Sequence, residues 1–214
     1  HAQRGLCYIA SVNMSLGTNT TYASNCDATY SSVKAAIDLL RSVNIATVIS
    51  AGNSYSSTGL SAPGCISTAV SVGSTITATD AVSSFSNSAS FLQLLAPGDS
   101  IYSSLPGNTF GYLGGTSMAA PHVAGTWAVL KQRVPAASVS DILNALRSTG
   151  LSVTDPRNGL VFPRIRIDQA LNKITIPLVG VNGPSSGATV GASFTVTGWS
   201  IDRGAMAGTT GIDQ

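Results

Sequence analysis

Apolar and polar positions along the chain alternate in blocks that predict strands and helices in succession. Residues 8–16 (YIASVNMSL) and 45–51 (IATVISA) are short apolar runs with β-branched side chains, typical of buried strands. Between residues 31 and 43 the apolar positions fall at helical spacing: Val33, Ala36, Ile37 and Leu40. A strand, a helix and a strand within about 45 residues predict a βαβ unit with parallel strands and a right-handed crossover.

The same pattern predicts further elements toward the middle of the chain. Apolar runs at 69–74 and 92–96 indicate two more strands. A helix is expected from near Ser117 to about Arg133, with Pro121 tolerated in its first turn.

A second helix is expected at about 139–148. Ser138 and Asp141 have the spacing of a capping box at its start, and Gly150 is expected to end it.

The composition and the apolar pattern of the chain change near its C-terminus. Residues 174–187 contain prolines and glycines but no charge, which predicts a linker and a turn. Residues 188–201 alternate between apolar and polar positions as a strand does, and the apolar set changes face near Gly198, which predicts a bulge or a kink there. The chain reaches Gln214 before such a sheet could close, so residues 188–214 are expected to be the N-terminal part of a β-sandwich module.

Composition narrows the classes of function. Only 9% of the residues are charged and 43% are hydrophobic, and 11 Lys and Arg balance 9 Asp and Glu. Scattered cations do not form the basic stripe of a nucleic-acid binder, and no run of about 18 apolar residues exists to span a membrane. Uncharged polar loops are typical of secreted proteins, so we expect a secreted monomer.

Three cysteines, Cys7, Cys26 and Cys65, leave one thiol without a partner if a disulfide forms. Cys26 and Cys65 lie in polar loops and are the pair we favour, whereas Cys7 precedes an apolar run. Sequence alone leaves the other pairings open, and also leaves open three unpaired buried thiols.

Glycines precede a serine at the start of the helix expected near Ser117. Such glycines leave room for a substrate carbonyl, and a helix N-terminus directs unpaired N–H groups at a developing oxyanion. Ser117 is therefore a candidate nucleophile whose own N–H is an oxyanion donor. The alternative is a serine that only caps the helix.

A nucleophilic serine needs a base, normally a histidine oriented by a carboxylate. His122 lies five residues after Ser117, about 140° around the helix, so we expect it to face away and to have a structural role. His1 has no local context that would hold it beside Ser117.

Several segments occur in the order seen in subtilisin-like serine peptidases. They are Val12–Gly17 (VNMSLG), Val48–Asn53 (VISAGN), Ala62–Gly64 (APG), Ala69–Gly73 (AVSVG), Ser84–Asn87 (SFSN), Leu95–Gly98 (LAPG) and Gly115–Gly125 (GTSMAAPHVAG). The last contains the nucleophile signature of that family throughout. The sequence thus resembles the subtilase family over residues 12–125.

The resemblance implies a fold and a set of site residues. It implies an α/β fold, a subtilisin-like three-layer αβα arrangement with a mainly parallel sheet. Ser117 would be the acylated nucleophile, and Asn53, otherwise a plausible turn residue, would donate its side-chain amide to the oxyanion. The substrate-binding residues would be Ser15, Leu16 and Gly17 in one pocket wall, Ser50, Ala51 and Gly52 in the opposite wall, Ala62, Pro63 and Gly64 in the floor, and Thr116.

The sequence also departs from the family pattern. Family members have their catalytic aspartate and histidine before the segment that matches residue 12, and residues 1–11 resemble neither motif. We therefore expect residues 1–173 to be the C-terminal part of a peptidase domain, truncated and inactive alone. Residues 188–214 are similar to immunoglobulin-like extensions of secreted bacterial proteins.

The resulting expectation is a serine endopeptidase acting on protein or peptide substrates. The uncharged pocket favours a neutral, apolar side chain before the scissile bond. No cofactor is expected for the chemistry, and the resemblance implies structural Ca²⁺ without identifying its ligands. The alternative is a non-catalytic peptide-binding or inhibitory homologue.

Overall fold

The computed structural model describes residues 9–174, the strands Leu178–Gly183 and Thr197–Ile201, and a few isolated residues between these strands. The helices are α1 (Ser31–Ser42), α2 (Thr116–Arg133), α3 (Val139–Thr149) and α4 (Ile167–Lys173). The strands are β1 (Ser11–Met14), β2 (Thr21–Tyr22), β3 (Ala46–Ser50), β4 (Leu60–Ser61), β5 (Val70–Ile76), β6 (Leu94–Asp99), β7 (Ile101–Leu105), β8 (Thr109–Leu113), β9 (Leu151–Thr154), β10 (Val161–Arg164), β11 (Leu178–Gly183) and β12 (Thr197–Ile201).

Six strands form one sheet in the order β1-β3-β5-β6-β10-β9. The pairs from β1 to β10 are parallel, and β9 joins β10 antiparallel. The parallel pairing of β1 with β3 across α1 confirms the predicted βαβ unit. The α/β class with a mainly parallel sheet is therefore confirmed.

Helices cover both faces of this sheet. On β3, Val48 packs in a core with Trp127 of α2 and Ile142 of α3, whereas the next residue, Ile49, packs in a core with Ile37 of α1. Successive residues of a strand point to opposite faces, so one apolar strand serves two cores. The result is the three-layer αβα arrangement expected from the sequence.

Helix α2 has its proline in a later turn than expected. With Thr116 as the first helical residue, Pro121 lies in the second turn and not in the first. A proline there has no N–H for the carbonyl of Ser117, four residues earlier. The Ser15 hydroxyl donates to that carbonyl oxygen instead, at 2.7 Å.

Helix α3 agrees with the sequence at both ends. The Ser138 hydroxyl accepts from the N–H of Asp141, and the Asp141 carboxylate accepts from the N–H of Ser138, which confirms the capping box. Gly150 follows the last helical residue. Among the described residues, no helix is long and apolar enough to cross a bilayer.

The favoured disulfide is present. Cys26 and Cys65 are bonded, with their Cα atoms 5.5 Å apart, and both are buried. Cys7 lies outside the described residues.

The C-terminal segment differs from the expected linker. Residues 178–183 form a strand that pairs antiparallel with Thr197–Ile201. The register shifts between Val181 and Gly183, so the irregularity lies on the strand opposite Gly198, and the bulge predicted at Gly198 is on the wrong strand. Most of the expected sandwich segment 188–214 lies outside the described residues.

Candidate active site

The candidate site lies where strands β1 and β3 end beside the start of α2. These strands are parallel neighbours, with Met14 opposite Ile49, so the segments that follow them leave the sheet at the same edge. Clefts outside the carboxyl ends of parallel strands are the usual ligand sites of α/β sheets. The fold thereby brings residues 15–17, 51–53 and 116–117 together from three distant parts of the sequence.

Ser117 lies in the first turn of α2 and is partly exposed. Its Oγ donates to the backbone oxygen of Ser15 at 3.4 Å, and the Ser15 hydroxyl donates back to the Ser117 carbonyl oxygen at 2.7 Å. The segment after β1 is therefore bonded directly to the turn of helix that carries the candidate nucleophile.

The Asn53 carboxamide is oriented by Thr116. Its Oδ1 accepts from the Thr116 N–H at 2.9 Å and from the Thr116 hydroxyl at 2.8 Å. A backbone N–H can only donate, so this contact identifies the oxygen end of the carboxamide. The Thr116 hydroxyl also accepts from the N–H of Gly52 at 3.1 Å, which ties the segment after β3 to the helix start.

Two N–H donors lie close to Gly115. A Cβ placed on Gly115 would lie 3.2 Å from Asn53 Nδ2 and 3.7 Å from the Ser117 nitrogen. Among the described residues, neither of these nitrogens donates a hydrogen bond. Met118 Sδ would lie 3.7 Å from the same Cβ. Because residue 115 is glycine, no side chain of its own comes between the two nitrogens.

The three segments expected to form the specificity pocket are in mutual contact. The Ser50 hydroxyl donates to the Leu16 carbonyl oxygen at 3.0 Å, and a Cβ on Gly64 would lie 2.7 Å from the Ser50 oxygen. A Cβ on Gly17 would lie 3.4 Å from the Ala62 oxygen.

The members of this pocket cluster differ in exposure. Ser15, Leu16 and Gly17 are exposed, Gly52 is partly buried, and Ser50, Ala51, Ala62, Pro63 and Gly64 are buried. Thr116, also expected to contact substrate, is 0% exposed, and its hydroxyl is bonded to Asn53 and Gly52. Thr116 therefore contacts the site through these two residues.

No base stands beside Ser117 in the described part of the chain. His122 and Ser117 line one surface groove of about 450 Å³. The Nδ1 of His122, however, is bonded to the Met118 carbonyl oxygen at 2.8 Å. No described histidine or carboxylate hydrogen-bonds the Ser117 hydroxyl. His1 lies outside the described residues.

Metal ligands are also not identified. Across the described ranges, no group of three or more His, Cys, Asp or Glu is placed to hold a metal ion. No residue is therefore assigned to the calcium that the resemblance implies.

Sequence reasoning gave no role to Asn87, which the structure places directly behind Asn53. Its buried side chain bonds the backbone on both sides of Asn53. The only signal in the sequence was its place in the segment 84–87, because nothing in a lone Ser-Phe-Ser-Asn run indicates burial.

Comparisons with known proteins show the family of this chain. A family model described as the subtilase family (peptidase S8) matches residues 9–170. Subtilisin DY of Bacillus licheniformis is 35% identical over 147 residues, which are 67% of this chain and 50% of that protein. Subtilisin E of Bacillus subtilis (strain 168) is 36% identical over 141 residues, which are 64% of this chain and 35% of that protein.

Solved structures show the same fold. A protease from Pseudoalteromonas arctica superposes with a TM-score of 0.65 at 28% identity, over 79% of this chain and 54% of that one. A cold-adapted subtilisin-like serine proteinase superposes with a TM-score of 0.62 at 29% identity, over 72% of this chain and 53% of that one. The chain spans half the length, or less, of the two subtilisins. Its fold is subtilisin-like, and the chain belongs to the subtilase family.

Proposed function

We propose that the protein is a serine endopeptidase in which Ser117 is the acylated nucleophile. The observation that carries this proposal is the pair of unpaired donors, Asn53 Nδ2 and the Ser117 N–H, which both lie close to Gly115 beside that serine. Acyl transfer places a full negative charge on the former carbonyl oxygen. Preorganised donors stabilise that charge more than they stabilise the ground state.

The proposed reaction proceeds in two steps. Ser117 Oγ attacks the scissile carbonyl carbon, and the resulting oxyanion lies between Asn53 Nδ2 and the Ser117 N–H. Collapse of the tetrahedral intermediate expels the amine, which takes the proton removed from the serine, and leaves an acyl-enzyme on Ser117. Water then hydrolyses this ester by the same route.

The proton transfers need a base that the described residues do not provide beside Ser117. We propose that a histidine and an aspartate from outside these 214 residues complete the site, as in the family. The 214-residue chain would then be inactive alone. The chain spans half the length, or less, of the two matched subtilisins, which is consistent with this proposal.

Substrates are proposed to be proteins or peptides bound in extended form. Ser15, Leu16 and Gly17 are exposed residues beside Ser117, and this segment would pair with the substrate chain, as an added strand does. The neighbouring segments 50–52 and 62–64 carry no charged side chain, which favours a neutral, apolar residue before the scissile bond. The Cys26–Cys65 disulfide supports secretion, because disulfides persist in oxidising compartments.

The test compares the full-length protein with its Ser117→Ala and Asn53→Ala variants on a chromogenic peptide with an apolar residue before the scissile bond. We expect a serine-directed inhibitor to label the wild type at Ser117 and to stop turnover. Ser117→Ala should lose turnover. Asn53→Ala should lower kcat by about 10²–10³, which is the range known for the asparagine donor of subtilisin and is carried over from that enzyme.

The 214-residue chain assayed alone should show no inhibitor-sensitive turnover. Turnover that survives Ser117→Ala would contradict the proposed nucleophile. Peptide binding by the full-length protein with no turnover and no inhibitor labelling would instead identify a non-catalytic, peptide-binding homologue.

A further inference from the structure

Asn87 is a buried carboxamide whose bonds all go to the segments around the oxyanion donor. It is 0% exposed. Its Oδ1 accepts from the N–H groups of Ser54 and Ser56, at 2.9 and 3.1 Å. Its Nδ2 donates to the Ala51 carbonyl oxygen and to the Ser61 hydroxyl, both at 3.2 Å. The carboxamide therefore uses both ends, and three of its four partners are backbone groups within three residues of Asn53.

The backbone of the same segment continues this attachment. The Asn87 N–H donates to the Gly52 oxygen at 2.9 Å. The N–H of Tyr55 donates to the Phe85 oxygen at 3.1 Å, and the N–H of Ser88 donates to the Ser56 oxygen at 2.8 Å. Bonds to Asn87 thus hold the residue immediately before Asn53 and the residue immediately after it.

Gly52 shows how closely the two segments approach. Its φ of 104° is in the region that side chains avoid. A Cβ on Gly52 would lie 2.4 Å from Asn87 Nδ2 and 2.2 Å from the Ser61 hydroxyl. The carboxamide of Asn87 therefore occupies the space that any other residue at position 52 would need.

A buried ion pair supports the Asn87 segment from behind. Asp155 is 0% exposed and accepts from the Ser88 hydroxyl at 2.6 Å and from Arg157 Nη2 at 2.7 Å. The Arg157 guanidinium also donates to the backbone oxygens of Ser84 and Ser86, at 2.8 and 2.7 Å. The residues on both sides of Asn87 are therefore held by the two members of one ion pair.

We propose that Asn87 is a positioning residue that holds Asn53 in the geometry of an oxyanion donor. This inference rests on the proposed function, because it acts through the Asn53 amide. The Asn53 side chain itself is oriented by Thr116, but the course of its backbone is set by bonds to Asn87. Loss of the Asn87 carboxamide leaves the N–H groups of Ser54 and Ser56 without their acceptor. The loop that carries Asn53 then shifts, and Asn53 Nδ2 leaves the oxyanion position.

The test is a double-mutant cycle in the full-length protein, with kcat and KM measured for Asn87→Ala, Asn53→Ala and the double variant. We expect Asn87→Ala to lower kcat about tenfold or more with a smaller change in KM, because a misplaced donor costs only transition-state stabilisation. In the Asn53→Ala background the same change should cost less than about twofold, because the group that it positions is absent. Asn87→Ser is the milder variant if Asn87→Ala does not fold.

Ile142→Val is the matched control, because it removes one methylene from the core at α3 and touches neither segment. It should lower the melting temperature and leave kcat unchanged. Equal losses of kcat from Asn87→Ala in both backgrounds, or the same loss of kcat in Ile142→Val, would overturn the positioning role while the proposed function stands. Full activity of Asn53→Ala would overturn the oxyanion-donor role of Asn53 and the positioning role with it, while Ser117 could still be the nucleophile. Full activity of Ser117→Ala would overturn the proposed function itself.

Discussion

Thr116 shows how a single buried hydroxyl connects two parts of the site. It donates to Asn53 Oδ1 and accepts from the Gly52 N–H, so it bonds one donor side chain and the backbone next to it. Its own N–H donates to the same Asn53 oxygen. The helix start that carries Ser117 and the loop that carries Asn53 are therefore joined by three hydrogen bonds through Thr116.

Thr116→Val keeps the shape of this side chain and removes the hydroxyl. We expect the free energy of unfolding to fall by about 1–3 kcal/mol, because the Gly52 N–H is left without its acceptor. Asn53 also loses one of its two donors, so kcat should fall as well. Denaturant unfolding and peptide hydrolysis check both effects, with Thr116→Ser as the control that keeps the hydroxyl. A Val variant as stable and active as the Ser variant would contradict this role.

Among the elements, helix α2 both carries the candidate nucleophile and bonds the segment after β1. Its interior proline, Pro121, leaves the Ser117 carbonyl without a helical donor, and the Ser15 hydroxyl takes that place at 2.7 Å. The carbonyl oxygen that the proline leaves free in the helix is thus bonded by the segment after β1. The turn carrying the candidate nucleophile is joined in this way to one wall of the expected pocket.

The disulfide joins two other elements near this pocket. Cys65 directly follows the expected floor, 62–64, and Cys26 lies five residues before α1. The Cys26 N–H also donates to the Cys65 carbonyl oxygen at 3.1 Å. The floor segment is therefore anchored to the layer formed by α1.

Replacing both cysteines by alanine should lower the free energy of unfolding by about 2–4 kcal/mol. The bond closes a loop with a sequence separation of 39 residues, so its loss increases the entropy of the unfolded chain. Denaturant unfolding of the oxidised wild type, the reduced wild type and the double variant measures the effect. The reduced wild type should match the variant, and equal stability of all three would contradict the prediction.

At the scale of the whole molecule, Asp155 and Arg157 connect the end of β9 to the segment 84–88, about 70 residues earlier along the chain. Burial of the Asp155 carboxyl acts to raise its pKa, but hydrogen bonds from Arg157 and Ser88 outweigh this and hold the pKa below its usual value. A lowered pKa in the folded state means that the ionised form stabilises the fold.

This stabilisation should depend on pH. It is fully present above the unfolded pKa, about 3.9, and is lost as the pH falls through the lower folded pKa. Asp155→Asn should therefore lower the free energy of unfolding at pH 7 by about 3 kcal/mol. This value is at the low end of the stability lost when a buried ion pair is broken, because 25% of the Arg157 side chain is exposed.

Urea unfolding from pH 7 down to pH 3 measures this difference between wild type and variant. The difference should narrow as the solution becomes more acidic, and Arg157→Gln should behave similarly. Parallel stability curves across the whole pH range would contradict the assignment.

Local sequence patterns predicted most of the main fold. The runs at 45–51 and 69–74 became parallel strands because each supplies small or apolar side chains to the cores on both faces, as a covered sheet requires. The capping box of α3 was also predictable, because all its partners lie within four residues. The strand Leu178–Gly183 was missed because its glycines and proline-rich surroundings favour a turn, and only its partner Thr197–Ile201 makes it a strand.

The sequence by itself determined the family resemblance and the order of the elements. It also identified Ser117 as the candidate nucleophile and Asn53 as the candidate oxyanion donor. Each of these rests on residues close together in the chain. Only the tertiary structure decided how these groups meet. The contacts of Asn53 with Thr116 and of Asn87 with the loop around Asn53 span 63 and 31 to 36 residues. Such contacts depend on which strand ends share an edge of the sheet, and no local pattern of side chains contains that information.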